Sequence, residues 1–430
     1  MVQRLKLSPH DVGKLLLACY IVYFATYFGR THYSSAMVAI IPEFGCTKAE
    51  AGLVSSYFYA IYAVFQIVHA VIADRSNNKA MIGISLAVSA ATNLMMPFMP
   101  SIAAMKYVWM LNGIAQSAMV THLMGICAKM VPIDMLPRTM TILITASSLG
   151  SLLSYLFSSF FISIASWKFL FYSGAVILGA STLLWFFTIN KLEKRCIYEE
   201  NTETTPAPQA AVSTNFKQII YMFLSGGLII SLLITTIDGI HREGMISWFP
   251  SFVKESYNVS ESFSVFIAIL LPMLSFFGSP LARFVTTKIG NRASSVVRGT
   301  MFYGISLVLL VVLRFTAWSG IVVSCVIFAV LSLLMTAINV SFINNTSVEM
   351  AAYGCSALLT GILNFGYCAG SAVSGYVMGA ISDKLGWTAV LDFLWIVAVV
   401  AVALGLIVSV LWTRFLKRLN ISKQQADAAV

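Results

Sequence analysis

The chain has 430 residues, of which 59% are hydrophobic and only 10% charged, against roughly 45–50% apolar and about 25% charged in an ordinary soluble domain. At roughly 20 residues per membrane helix, this apolar content is enough for about twelve spans, which excludes a soluble enzyme and a secreted disulfide scaffold. The formal net charge is +10, from 27 Lys+Arg against 17 Asp+Glu, yet no basic stripe lies on a polar domain that could take up nucleic acid.

The basic N-terminus (Arg4, Lys6, Lys14) precedes an apolar stretch too long for the core of a signal peptide, so the stretch is expected to stay as the first span. Apolar segments follow in chain order at 15–41, 50–73, 80–99, 104–131, 139–165 and 168–189, then at 217–252, 263–285, 296–314, 318–343, 352–381 and 388–412. The expectation is an all-α membrane protein of twelve transmembrane helices in two pseudo-symmetric six-helix bundles. One half covers residues 1–189 and the other 217–430. Residues 190–216 are polar, with Glu193, Glu199, Glu200, Glu203 and the run Thr204–Gln209, a composition that suits a flexible cytoplasmic linker. The seven cysteines are scattered and form no C-x-x-C pair, so neither a disulfide framework nor a zinc site is implied.

Alternating loops divide the basic residues unequally. Nineteen of the 27 fall on the side of the termini and linker, six on the other side, and two inside spans. The excess places both termini in the cytoplasm. An internal repeat supports the six-plus-six division: Gly150-Ser151-Leu152-Leu153-Ser154 matches Gly370-Ser371-Ala372-Val373-Ser374, and at the same offset Trp167 matches Trp387. Paired halves of this kind suit a secondary transporter whose substrate binds near the midplane.

The two basic residues inside spans are Arg30 and Arg242. Both sit about 18–20 Å below the outer boundary, from the 1.5 Å rise per residue. Each costs about 2.5–3.5 kcal/mol to insert at the helix centre. Asp238 and Glu243 are candidate partners of Arg242 in a structural ion pair; the alternative is a guanidinium pair that binds a dianion through its planar fork. His32 points away from Arg30 on a helix, His122 lines a cavity or bonds between helices, and Asn339, Asn344 and Asn345 suit interhelical bonding.

The stretch His241-Arg242-Glu243-Gly244-Met245-Ile246-Ser247-Trp248-Phe249-Pro250-Ser251 resembles the span-seven signature of the organophosphate:phosphate antiporters in the major facilitator superfamily. Ala73-Asp74-Arg75-Ser76-Asn77 resembles their 2–3 loop, Leu111-Asn112-Gly113 with Gln116 their span four, and Phe365-Gly366-Tyr367-Cys368-Ala369-Gly370-Ser371 their span eleven. The resemblance implies the major facilitator fold, a bacterial inner membrane and exchange of a glycerol or sugar phosphate for inorganic phosphate. Substrate phosphate would be held by Arg30 and Arg242, with Tyr23, Tyr27, Tyr62 and Tyr367 lining the site and Asp74 and Arg75 in a gating loop. Tyr27 is three residues before Arg30 and shares its helix face.

The chain departs from that pattern at Gln66, where the glycerol-3-phosphate members carry lysine, and at Ser147, where they carry histidine. With Asp238 and Glu243 beside Arg242, the site is less positive, and either acid could carry a coupling proton. A proton-coupled carboxylate or sugar-acid symporter therefore stands as the alternative, and a transporter-like ligand sensor as a third reading. No G-x-x-x-x-G-K-[ST] sequence is present, so ATP drive is unsupported, and no metal or other cofactor is implied. A monomer is expected, with the bilayer, the anion and a counter-ion as its partners.

Overall fold

In a computed structural model, residues 4–73, 75–132, 134–199, 226–289, 293–350 and 356–427 are described. Among them, nine helical stretches are long and apolar enough to cross a membrane. One of these, Leu358–Arg418, contains two spans, joined at Gly386 with φ 78° and ψ 178°. Two further helical runs take the places of predicted spans four and seven: Ile102–Ser117 continued after Ala118 by Met119–Met130, and Leu228–Tyr257. Each of the twelve predicted spans thus has a helical counterpart, and the protein is an all-α, multi-pass membrane protein. Leu183, Phe187 and Phe315 are 75%, 75% and 76% exposed on helix surfaces, which lipid tolerates and water would not.

Helix ends follow the local sequence. Ser8 caps Pro9–Phe44 by accepting from the Asp11 amide, and Thr47 with Glu50 forms a capping box at the start of Lys48–Ile72. Span seven runs on to Tyr257, five residues past the end of the apolar segment at 217–252. The linker predicted over 190–216 lies largely outside the described residues. Its described part holds the end of span six and a three-residue strand not foreseen, β2 (Ile197–Glu199), which pairs antiparallel with β1 (Arg4–Lys6). Asp11 fastens the same corner, accepting from Arg195 at 3.3 Å and Lys14 at 3.0 Å.

The chain divides into two compact units. The first comprises Met1–Thr205, Ile246–Met273 and Gly375–Lys384; the second comprises Pro206–Met245, Leu274–Ser374 and Leu385–Val430. In the first, Gly150 lets span five rest directly on the backbone of span one. A Cβ there would stand 2.6 Å from the Phe24 carbonyl and 3.3 Å from the Phe28 amide nitrogen. Span two is fastened by Asp383, whose carboxylate oxygens accept the amides of Lys48 at 3.1 Å and Ala49 at 2.8 Å. Lys48 in turn pairs with Glu255 at 3.0 Å. Gly52 and Gly375 lie against one another's carbonyls, and the Trp248 indole donates to the Gly375 carbonyl at 3.2 Å.

The second unit repeats the glycine contact. A Cβ on Gly370 would collide with the Thr236 carbonyl and stand 3.1 Å from the Ile240 amide nitrogen. Phe24 and Phe28 stand six and two residues before Arg30; Thr236 and Ile240 stand six and two before Arg242. The repeat read from sequence is therefore a repeat of backbone contacts, and it gives the two arginines equivalent places within their own units. Span ten, Ile321–Asn339, continues into a π-helical turn, Val340–Asn345, a local widening frequent at functional sites.

Gly150→Val and Gly370→Val should each destabilise by about 1–3 kcal/mol, since the obstacle is backbone that cannot rotate away. Gly179→Ala and Gly304→Ala, with nothing within 4 Å of the added carbon, should leave stability unchanged or raise it by up to about 1 kcal/mol. Thermal unfolding in detergent measures both.

Candidate functional site

Arg30 lies among aromatic faces in the first unit. Its guanidinium carbon is 5.0 Å from the ring centre of Tyr62, 5.1 Å from Tyr59, 5.2 Å from Phe58 and 5.3 Å from Tyr27. Tyr27 is one turn before Arg30 on span one, and Phe58, Tyr59 and Tyr62 share one face of span two. Each ring face attracts the cation by about 0.5–2 kcal/mol, the larger value where water is excluded. These rings offset part of the cost of holding charge within the membrane. Tyr23 stacks edge-on against Tyr27 at 5.1 Å and so supports the cage from behind. His32 is fully buried on another face, edge-on to Phe28 at 4.8 Å and Phe171 at 6.1 Å.

Arg242, in the second unit, is held differently. Its Nη1 donates to the Tyr367 hydroxyl at 2.8 Å, and that hydroxyl donates to Glu243 Oε1 at 2.6 Å. The guanidinium and Glu243 are 3.7 Å apart, so the phenol sits between cation and anion and serves both. The closeness of spans seven and eleven makes this reach possible: Gly239 lies directly against the Tyr367 carbonyl, with no room for a side chain. Asp238, the other candidate partner, is taken by the Asn339 amide at 3.0 Å and is 1% exposed. Among the described residues Asp238 Oδ1 and Arg242 Nε have no hydrogen-bond partner.

The structure thus assembles Tyr23, Tyr27 and Tyr62 with Arg30, and Tyr367, Glu243 and Asp238 with Arg242. Phe58 and Tyr59 complete the first cluster and were missed in the sequence, although they sit four and three residues before Tyr62. Asn339 was assigned to helix bonding without its partner. His122 bridges helices: its Nδ1 meets the Asn78 amide at 2.6 Å and its Nε2 meets His69 at 3.5 Å. Of the gating-loop pair, Asp74 lies outside the described residues, and Arg75 is exposed, its amide closing a turn on Ile72.

A helical membrane protein with a repeated scaffold and one caged arginine per unit has the build of a carrier rather than an enzyme. The Major Facilitator Superfamily profile matches residues 19–357, and the chain belongs to that superfamily. Among curated relatives, the membrane sensor protein UhpC of Escherichia coli is 29% identical over 102 residues, covering 24% of this chain and 23% of UhpC. A probable hexose phosphate transport protein of Chlamydia pneumoniae is 30% identical over 23% of this chain and 22% of its own length. The probable anion transporter 4 of rice chloroplasts is 24% identical over 58% of this chain and 43% of its own. The chain therefore matches under half the length of these relatives. Among solved structures, a bacterial homolog of the human lysosomal transporter Spinster aligns with TM-score 0.75 and 16% identity, covering 95% of this chain and 98% of the other. The nucleoside transporter NupG aligns with TM-score 0.70 and 16% identity, over 92% and 99%. These two establish the fold.

Tyr367→Phe removes the hydroxyl that accepts from Arg242 and donates to Glu243. It should cost about 1.5–3 kcal/mol of stability, as expected for a hydrogen bond to charged groups, read as a lowered unfolding midpoint in detergent. Tyr23→Phe, which keeps the ring contact with Tyr27, should change it by less than about 0.5 kcal/mol.

Proposed function

We propose that the protein is a secondary transporter that moves a small organic anion by alternating access. The leading substrate class is a phosphorylated metabolite, a glycerol or sugar phosphate, exchanged for inorganic phosphate. Arg30 and Arg242 are the two anion-binding groups, with Tyr27, Tyr62 and Tyr367 as hydrogen-bond donors. The observation that carries this reading is the equivalence of the two arginines, each two residues past the amide on which its repeat glycine rests. The similarity to a hexose phosphate transport protein and to an anion transporter supports the substrate class. The protein works as a monomer in the cytoplasmic membrane with both termini inside, and its halves, residues 1–189 and 217–430, are joined by the 190–216 linker.

Glu243 favours a second reading. An acid bonded to the binding arginine through Tyr367 suits proton-coupled uptake of a carboxylate or sugar acid. The similarity to UhpC supports a third, a ligand sensor. Phosphate exchange in proteoliposomes without a pH gradient is expected for the antiporter; uptake only with the gradient replaces it by the symporter, and binding without flux by the sensor. Arg30→Lys and Arg242→Lys should each cut exchange at least about tenfold, equivalent to about 1.4 kcal/mol, with unchanged protein levels, because an ammonium lacks the planar fork. Near-normal exchange in both would overturn the arginine assignment.

A further inference from the structure

Four polar side chains are linked in a row across the end of the first unit that carries the 2–3 loop. Asn78, the first residue of span three, is 5% exposed and lies between spans two and four. Gly125 of span four makes room for it, since a Cβ there would stand 2.8 Å from the Asn78 amide. The exposed Lys129 brings its ammonium to 3.1 Å from the Asn78 side chain. An ammonium has donors and no acceptor, so the Asn78 oxygen faces it. The Asn78 nitrogen then donates to His122 Nδ1 at 2.6 Å and to the Ala73 carbonyl, at the end of span two, at 3.2 Å. With Nδ1 accepting, a neutral His122 carries its proton on Nε2, which reaches His69 Nδ1 at 3.5 Å, the longest step of the row. His69 in turn keeps its proton on Nε2, a buried atom with no hydrogen-bond partner among the described residues. One exposed charge thus fixes the direction of every donor down to the buried ring.

We propose that the His69–His122 pair is a proton-binding site, and that one added proton reverses the row and releases both Lys129 and the Ala73 carbonyl. Placed on an inner nitrogen of the row as it stands, the proton would set two donors face to face, His122 against Asn78 or His69 against His122. Reversal removes both conflicts. His69, doubly protonated, donates from Nδ1 to His122 Nε2, while His122 stays neutral, carries its proton on Nδ1 and donates to the Asn78 oxygen. The balance is one proton taken from water and held at His69, with His122 exchanging one tautomer for the other. The turned amide presents its nitrogen to Lys129, and that ammonium, being exposed, moves out to water. The Ala73 carbonyl loses its donor, which unfastens the end of span two from the start of span three beside the 2–3 loop. Around the pair, Phe65 of span two and the Ile114 backbone of span four stand by His69. Lys129 is the neighbouring charge that acts on His122, so its departure lowers the cost of the new one. The Leu7 amide donates to the Met130 carbonyl at 3.0 Å, which puts this end on the side of the N-terminus. The site therefore responds to the pH on that side of the membrane.

The test is nitrogen-15 NMR of the histidine rings of the purified full-length chain, which separates the two neutral tautomers from each other and from the doubly protonated ring. There are five histidines, and His69→Gln and His122→Gln assign the two signals. At about pH 8 the Nε2–H tautomer of His122 should exceed the other by at least about tenfold, a preference that a hydrogen bond to a charged group sustains. Between about pH 8 and about pH 5, His69 should become doubly protonated while His122 stays neutral and passes to its Nδ1–H tautomer. Lys129→Met removes the group that sets the direction without touching the buried rings, and should reduce the tautomer ratio at the alkaline end by about tenfold. The wild-type titration decides by itself if that variant does not fold. His122 in the Nδ1–H tautomer at the alkaline end, a ratio unchanged in Lys129→Met, a proton taken up by His122 in place of His69, or a pair that stays neutral throughout would each overturn the proposal. No substrate enters the titration, so its outcome is independent of the transport reading.

Discussion

A guanidinium within the hydrocarbon layer is the constraint to which the rest of this protein is fitted. It costs a few kcal/mol at the centre of a span, and Arg30 and Arg242 each stand more than ten residues from the C-terminal end of their helix. Two different solutions are present. Arg30 is surrounded by four ring faces at 5.0–5.3 Å, which lower the energy of the cation without cancelling it. Arg242 has a carboxylate 3.7 Å away and a phenol that bonds to both. The second solution needs helices closer together than ordinary side chains allow, and Gly239, which lies on the Tyr367 carbonyl, provides the room. Beside the first, Gly150 brings span five against the span-one backbone at Tyr27, to whose Cβ an added carbon would stand 3.0 Å.

The two arginines consequently have unequal surroundings. Around Arg30 stand polarisable ring faces. Beside Arg242 stand a carboxylate and a phenol bonded to both charges. The asymmetry lies in the dressing of the arginines and not in the scaffold beneath them, which repeats down to single backbone atoms.

What could be read from the sequence was whatever is local or periodic. Long apolar runs disclosed the spans, the two landmarks at one offset disclosed the repeat, and helical spacing placed Tyr27 with Arg30. What escaped depends on which helices are neighbours. Phe58 and Tyr59 share a face with Tyr62, but only the packing of spans one and two turns that face toward Arg30. His241 meets a carbonyl 153 residues away, and Asn339 was recognisable as an interhelical residue without any indication that Asp238 was its partner. The break of span four at Ala118 has no glycine or proline to announce it, and strands of three residues, such as β1 and β2, are too short to show an alternation.

The glycine contacts that repeat in the two units also bear on how such a protein can change over generations. Because Gly150 and Gly370 fix backbone against backbone, the helix spacing owes little to the side chains around each arginine. Those side chains are then open to replacement without the fold having to be found anew. One half could acquire an acid beside its arginine while the other kept its rings, and a duplicated scaffold could arrive at a new pairing of cargo and driving ion through changes confined to a single helix.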